Sequence, residues 1–332
     1  MKVAHTCHGN QDFVCYIYTF KVWVATVELR HLRYFVAVAE EGSLTNAAER
    51  RLHTAQPSLS RQIRDLELEV GVPLLERQAR GTALTAAGRT FLDHARLALL
   101  QVDAAGEAAR RAAQPEKRAF TIGFLAGQEL VWLPEVLRIL RDEESDIEIT
   151  LASQSSPELA GALMRGKVDV AFLRREKDAP GIAFRSLIRE PLVAVLPADH
   201  RLAAQEAVRI QDLAEETYIS PTRVAPALKA VIENYAAKSG VVLRPEYDAE
   251  NTSSVLSLVT STGGVTLLPL YVKLMLPASV VIRPLQGDVP TIELVLGYSR
   301  SNTSALLKRF LARADHLIAS VAKLDAHFMS AP

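Results

Sequence analysis

Phe91, Ala95, Ala98, Val102, Ala105, Ala109 and Ala112 lie alternately four and three residues apart without a break. That is the a/d period of a two-stranded coiled coil, and it predicts a continuous helix over 87–114. Leu92, Leu99 and Gly106 form a second row seven apart on its flank. A seam this rich in alanine associates closely but weakly, so the helix suits positioning a dimer more than driving one. The same spacing also fits a single helix packed on its own domain, and the two readings stay open here. Gln114-Pro115 ends the helix, and Glu116-Lys117-Arg118 begins a polar linker. The chain of 332 residues is thus divided into a short part before the helix and a long part after it.

In the short part, Leu29, Leu32, Phe35, Val36 and Ala39 repeat at helical spacing, so 29–40 reads as an amphipathic helix. Glu41-Gly42-Ser43 ends it, and Ser43 can cap a second helix over 44–51 that carries the small pair Ala47-Ala48. A turn at Leu52-His53-Thr54 leads to a third helix starting near Thr54, with Pro57 in its first turn, where the missing N–H costs nothing. Leu59, Ile63 and Leu66 must face the core. Pro57, Arg61 and Arg64 then lie opposite, flanked by Ser60 and Thr54. Such a face can reach base edges and phosphates from the major groove, although a plain solvated helix face fits it equally.

The segment after this helix favours the first reading. Gly71-Val72-Pro73 closes the helix, and Leu74 to Arg77 opens a short strand. Arg80-Gly81 supplies a turn, and Ala83-Leu84-Thr85 returns. A hairpin directly after a helix-turn-helix is a wing, and Arg77 and Arg80 near its tip suit phosphates or the minor groove. Through Leu29-Arg30-His31-Leu32-Arg33-Tyr34-Phe35, Ala47-Ala48, Gln56-Pro57-Ser58-Leu59-Ser60-Arg61-Gln62-Ile63, Gly71-Val72-Pro73-Leu74-Leu75-Glu76-Arg77 and Leu84-Thr85-Ala86-Ala87-Gly88, the sequence resembles the LysR-type transcriptional regulators. A looser likeness points to the subgroup controlling aromatic-compound catabolism. One departure stands out: Glu49-Arg50-Arg51 lies between Ala-Ala and Leu-His, where the family usually has two residues. An extra residue inside a helix turns the remainder by about 100°, so it is expected in the turn instead.

Beyond the linker the pattern becomes β, α, β, α, β. Strands are expected at Phe120–Leu125, Ile147–Ala152 and Val168–Leu173, and helices at Leu130–Arg141 and Glu158–Arg165. That alternation implies a parallel sheet, whose ligands bind beyond the carboxyl ends of the strands. Glu190 to Pro197 and further βα units come next. The resemblance implies an α/β multidomain protein: an N-terminal winged helix-turn-helix over 28–86, a linker helix over 87–116, and a two-subdomain α/β effector domain like type 2 periplasmic binding proteins. Subdomain 1 is expected over 117–189 and 288–325, and subdomain 2 over 190–287. It also implies a small-molecule effector in the cleft between them. Gln128, Ser153, Ser155 and Ser156 would face it from one side, and Ser220 and Thr222 from the other, unless those serines only cap helices. Thr45, Gln56, Pro57, Ser60, Arg61, Arg64, Arg77 and Arg80 are the residues expected at DNA.

Composition narrows the function classes. Acidic and basic residues balance at 38 each, so any affinity for nucleic acid must come from a local patch. Cys7 and Cys15 are the only cysteines, which excludes a disulfide framework for the body and fits a reducing, cytoplasmic setting. Residues 1–26 read as a loosely attached leader or a start placed too early, and Cys7, His8 and Cys15 match no standard zinc spacing. No apolar run is long enough for a membrane span. Neither a nucleophile elbow, a phosphate loop nor a dinucleotide fingerprint occurs, which argues against an enzyme, and no cofactor is expected. A solute-binding protein without DNA activity would leave the first 90 residues unexplained. The expected partners are double-stranded promoter DNA, an organic carboxylate effector, a second copy of the chain in a homodimer or homotetramer, and RNA polymerase.

Overall fold

The computed structural model describes residues 27–78, 81–113, 118–143, 147–177, 179–221 and 225–329. The leader over 1–26, with Cys7, His8 and Cys15, lies outside them. Two compact units meet between Arg96 and Leu97, inside a helix.

The first unit holds α1 (Leu29–Glu41), α2 (Leu44–Asn46), a π-helix (Ala47–Leu52), α3 (Gln56–Val70), β1 (Leu75–Gln78), β2 (Gly81–Leu84) and the start of α4 (Ala86–Ala112). Phe35, Leu59, Ile63, Leu66 and Leu74 are fully or almost fully buried, as the helical spacing requires. Ala47 and Ala48 are buried against α1, where larger side chains would hold the helices apart. Glu67 fastens the end of α3 to the wing: its Oε1 accepts from the N–H groups of Leu74 (2.8 Å) and Leu75 (2.9 Å). β1 and β2 pair antiparallel from Leu75 opposite Leu84 to Gln78 opposite Gly81. Gly88 lets α4 lie against this hairpin, since a Cβ there would stand 1.9 Å from the Leu74 carbonyl oxygen.

The extra residue is not absorbed in the turn. Ser43 caps α2, its Oγ accepting from Asn46 N–H at 3.3 Å, and α2 runs straight into the π-helix. There the His53 N–H reaches back to the Ala48 carbonyl, five residues earlier. A widened turn holds one more residue than an α-turn, so the chain beyond it keeps its phase. His53 then ends the helix in the left-handed region (φ 48°). The third helix also starts at Gln56, two residues later than Thr54.

Residues 87–96 pack as part of the first unit. Leu92 and Ala95 are buried, and Phe91 packs edge-on against Phe35 with ring centroids 5.2 Å apart. Glu40 at the end of α1 accepts from Arg96 of α4 (Nε 3.1 Å, Nη2 2.7 Å) and pairs with Arg51 of the π-helix. Further along α4 the seam changes character: Val102, Ala105 and Ala109 are exposed. The reading of a helix packed on its own domain therefore describes the first part of α4.

The second unit continues with β3 (Arg118–Leu125), α5 (Glu129–Glu143), β4 (Ile147–Gln154), α6 (Ser156–Met164), β5 (Val170–Leu173) and β6 (Ile182–Pro197). Next come α7 (Ile210–Leu213), β7 (Tyr218–Ser220), α8 (Pro226–Lys238), β8 (Pro245–Asp248), α9 (Thr252–Thr262), β9 (Thr266–Pro269) and β10 (Val280–Pro284). β11 (Thr291–Ser299), α10 (Ala305–Ala312) and α11 (Ala314–Met329) complete it. The main sheet has the order β10-β6-β11-β5-β3-β4, with β9 also on β6. β3, β4 and β5 are parallel, but β6, β10 and β11 make antiparallel pairs. The sheet is mixed because the chain leaves one subdomain along β6 and returns along β11.

β6 is the element that both subdomains share. Ile182 to Pro191 pairs with β11, while Leu192 to Pro197 lies between β9 and β10. Each half has its own core. Phe120, Phe124, Trp132 and Phe172 fill one, with Phe124 and Phe172 stacked at 4.7 Å. Val195, Ile219, Val259 and Leu267 belong to the other. The return passage, 285–290, runs beside the outgoing one, and Leu192 N–H donates to Pro290 O at 2.9 Å. No helix among the described residues is long and apolar enough to cross a membrane.

Candidate nucleic-acid face and ligand cleft

α3 buries Leu59, Ile63 and Leu66 and turns Pro57, Arg61 and Arg64 outward. The Arg61 side chain is 79% exposed, and its carboxylate neighbour Asp65 is 3.9 Å away. A pair that long and wet holds the guanidinium only weakly, leaving it available. Gln56 and Ser60 are half-buried at the margin of the face, and Thr45 is exposed on α2. Ala55 at the N-cap makes no side-chain cap to the first turn, so backbone N–H groups at this end remain to receive an anion such as a phosphate. Arg77 sits on β1 opposite Thr82, and Arg80 lies outside the described residues. The face also carries Leu68, 79% exposed and four residues beyond Arg64, which the helical pattern does not single out.

In the second unit a cleft of about 340 Å³ opens between the subdomains. One wall is Ala126, Ser153, Ser155 and Arg174; the other is Ala225, Asn251, Thr252, Val255 and Tyr271. The N-terminal ends of α6, α8 and α9 all reach it, through Ser155, Ala225 and Asn251. Helix N-termini carry positive potential, so three together favour an anionic ligand. Asn251 Oδ1 accepts from Ser254 N–H at 2.9 Å. Glu158 Oε2 accepts from the Ser155 hydroxyl (2.7 Å) and backbone N–H (2.9 Å), and these bonds hold its carboxyl below the usual range. At the hinge end, the Tyr271 hydroxyl donates to Ala126 O (3.2 Å) from the opposite subdomain. Burial pushes that phenol above its ordinary value. Gly127 (φ 92°) permits this approach: a Cβ would meet Met275 Sδ at 2.4 Å.

Of the residues the sequence nominates for the effector, Ser153 and Ser155 stand in this cleft. Ser220 lines an adjoining cavity that shares Ser155 with it. Thr222 lies outside the described residues. Ser156 is turned inward, its Oγ accepting from the Arg174 backbone N–H at 2.9 Å. Gln128 is also behind the wall and fully buried: its Nε2 donates to Glu190 (3.3 Å to Oε2), and its Oε1 accepts from Trp132 Nε1 (3.2 Å). Arg174, Asn251 and Tyr271 escape sequence reasoning. Arg174 has a signal, being the first charge after the apolar strand Val170–Leu173. Asn251 has one too, as an N-cap before Thr252. Tyr271 has none, because it comes from a short 3₁₀ turn far along the chain.

A winged helix-turn-helix followed by a two-subdomain effector-binding fold defines a transcriptional regulator rather than an enzyme. The chain belongs to the LysR family of bacterial transcriptional regulators. Residues 29–89 match the family described as bacterial regulatory helix-turn-helix protein, lysR family, and residues 113–317 match the LysR substrate binding domain. The chain is 40% identical to the Hca operon transcriptional activator HcaR of Escherichia coli, over 89% of this chain and 99% of that protein. It is 34% identical to the regulator AlsR of Bacillus subtilis, over 86% of this chain and 94% of that protein. Among solved structures, full-length CbnR complexed with its target DNA is similar at TM-score 0.52 and 25% identity, covering 88% of this chain and all of that one.

Proposed function

We propose that this regulator binds promoter DNA as a homodimer or homotetramer and changes transcription when an organic carboxylate, aromatic or aliphatic, enters the cleft. The observation that carries the reading is the convergence of three helix N-termini on a cleft between the two subdomains. A ligand touching both walls favours one relative orientation of the subdomains, to the extent that it binds the two orientations unequally. Thr45, Gln56, Pro57, Ser60, Arg61 and Arg64 would meet the DNA, with Arg77 and Arg80 of the wing on phosphates. CbnR, a relative in fold and sequence, has been crystallised on its target DNA, which supports this use of the face. The exposed Val102, Ala105 and Ala109 of α4 offer a second chain a seam to pack on. Action in the cytoplasm and through RNA polymerase belongs to the same reading.

The test is footprinting on the DNA upstream of its own gene, with and without carboxylates. Arg61→Ala should weaken specific binding by roughly 1–3 kcal/mol if Arg61 holds a base in a two-pronged contact. Normal protection by that variant would remove α3 as the recognition helix. A footprint unmoved by every carboxylate that the protein binds would remove the coupling between cleft and DNA.

A further inference from the structure

We infer that the effector is a monocarboxylic acid with a long, uncharged tail, which lies in a side cavity between α6 and α8; this rests on the reading of the cleft as the effector site. The side cavity measures about 1150 Å³ and adjoins the cleft of about 340 Å³. Ser155 and Glu158, at the start of α6, line both, so they form the sill between them. The Ser155 hydroxyl donates to Glu158 Oε2 at 2.7 Å and is thus spent within its own turn. Beyond the sill the wall is apolar. Tyr218, Ile232 and Ala236 line it from the core, and Val241 and Leu243 are half-buried along it. The Tyr218 hydroxyl is closed off from solvent, so this residue presents its ring to the cavity. Each methylene that leaves water for such a surface strengthens binding about fourfold.

Charge decides which end of the ligand goes where. Among the described residues lining the side cavity are three carboxylates, Glu158, Glu233 and Asp248, against one ammonium, Lys229, which stands 3.8 Å from Glu233. The N-terminus of α9, through Asn251, borders the cleft and not the side cavity. An anionic group is therefore drawn to the cleft and repelled beyond the sill. A molecule long enough to occupy both spaces carries its acid at one end only. The side cavity also has walls from both subdomains: Ser155, Pro157 and Glu158 from one, and the face of α8 with Val241 and Leu243 from the other. A tail lying there extends the contact between the subdomains well past the cleft. Unequal contact with two orientations is what shifts a hinge, so a long acid shifts it further than a short one.

The experiment is calorimetric titration of the full chain with butanoate, hexanoate, octanoate and octanedioate. Wild type should gain about fourfold in affinity for each methylene from butanoate to octanoate. Octanedioate should bind roughly tenfold more weakly than octanoate, because its second carboxylate must leave water beside the acidic wall. Ala237 is exposed on α8 and lines the side cavity but not the cleft. Ala237→Trp should therefore fill the side cavity from its open side: butanoate binds as before, and the gain with length vanishes. Val242→Trp, at another exposed residue of the same wall, takes its place if that variant is unstable. Glu233→Gln combined with Asp248→Asn should bring octanedioate close to octanoate. An equal gain with length in wild type and in the filled variant puts the tail elsewhere and overturns the inference. A wild-type affinity that does not grow with length, or a diacid as tight as octanoate, overturns it too. Ser153→Trp fills the cleft instead. Loss of butanoate binding in that variant keeps the cleft as the effector site whatever becomes of the tail. Unchanged binding of every acid in it, or no binding of any acid to wild type at millimolar concentration, overturns both.

Discussion

The reading head and the sensing unit present their polar groups in opposite ways. The head's candidate face comes from one contiguous stretch: Pro57, Arg61 and Arg64 lie within about two turns of a single helix and are exposed to solvent. The sensing unit builds its cleft from residues that lie far apart in the chain, Ala126, Ser155, Arg174, Asn251 and Tyr271, and it ties its charges down. Arg61 is 79% exposed beside a carboxylate at 3.9 Å, whereas Arg174 is enclosed with one at 2.5 Å. An exposed cation can meet a long polyanion from outside. A small ligand has few atoms to offer, and it gains most from donors already fixed and stripped of water.

If the two units are independent, damage to one leaves the other standing. Phe35→Ala removes a ring that is fully buried against Phe91 and should cost the head about 3–5 kcal/mol. Scanning calorimetry should then show the head's transition falling while that of the sensing unit stays. Transitions that move together would break the comparison. Trp132→Phe works the other way round. It leaves Gln128 Oε1 without its donor in a buried place, at about 1–3 kcal/mol to the sensing unit. Operator affinity without effector should not change.

The same contrast decides what can be read in the sequence. Helix spacing, the Ala47-Ala48 pair, Pro57 and the wing turn all act within a few residues of one another, so the head is legible almost side chain by side chain. The βα alternation discloses three parallel strands. It does not disclose that β6 serves two cores, since nothing local distinguishes a strand that changes neighbours halfway. Gln128 and Ser156 both come just after strand ends, which is where ligands of such sheets bind, and that position makes them candidates. Which way each side chain turns depends on Glu190 and Arg174, which arrive from elsewhere in the chain, as well as on Trp132 one helical turn beyond Gln128.

A smaller effect should separate the units by pH. Burial pushes the Glu40 carboxyl up, but hydrogen bonds from Arg96 and Arg51 outweigh it and leave the group below its ordinary value of about 4.3. A depressed carboxyl contributes stability above its unfolded value and loses it as the pH falls through the folded one. Acid titration of the head below about pH 4.3 should therefore lose a few tenths to about 1 kcal/mol, and Glu40→Gln should abolish that part of the slope. An unchanged slope would mean the three side chains do not act together. The smallest effect is expected for deletion of Arg50, which should turn the π-helix into an ordinary α-turn with little change in melting temperature or DNA retention. A deletion within α1, by contrast, should unfold the head.

The widened turn at Ala47–Leu52 acts as an expansion joint. It can take up a change of length on the spot, so that everything after it keeps its phase. Exchanging operator preference between this protein and another member is then a matter of counting from Gln56 forward. Counting from the start of α1 would set every transplanted side chain one position off, which on a helix is more than a quarter of a turn and points it away from the groove.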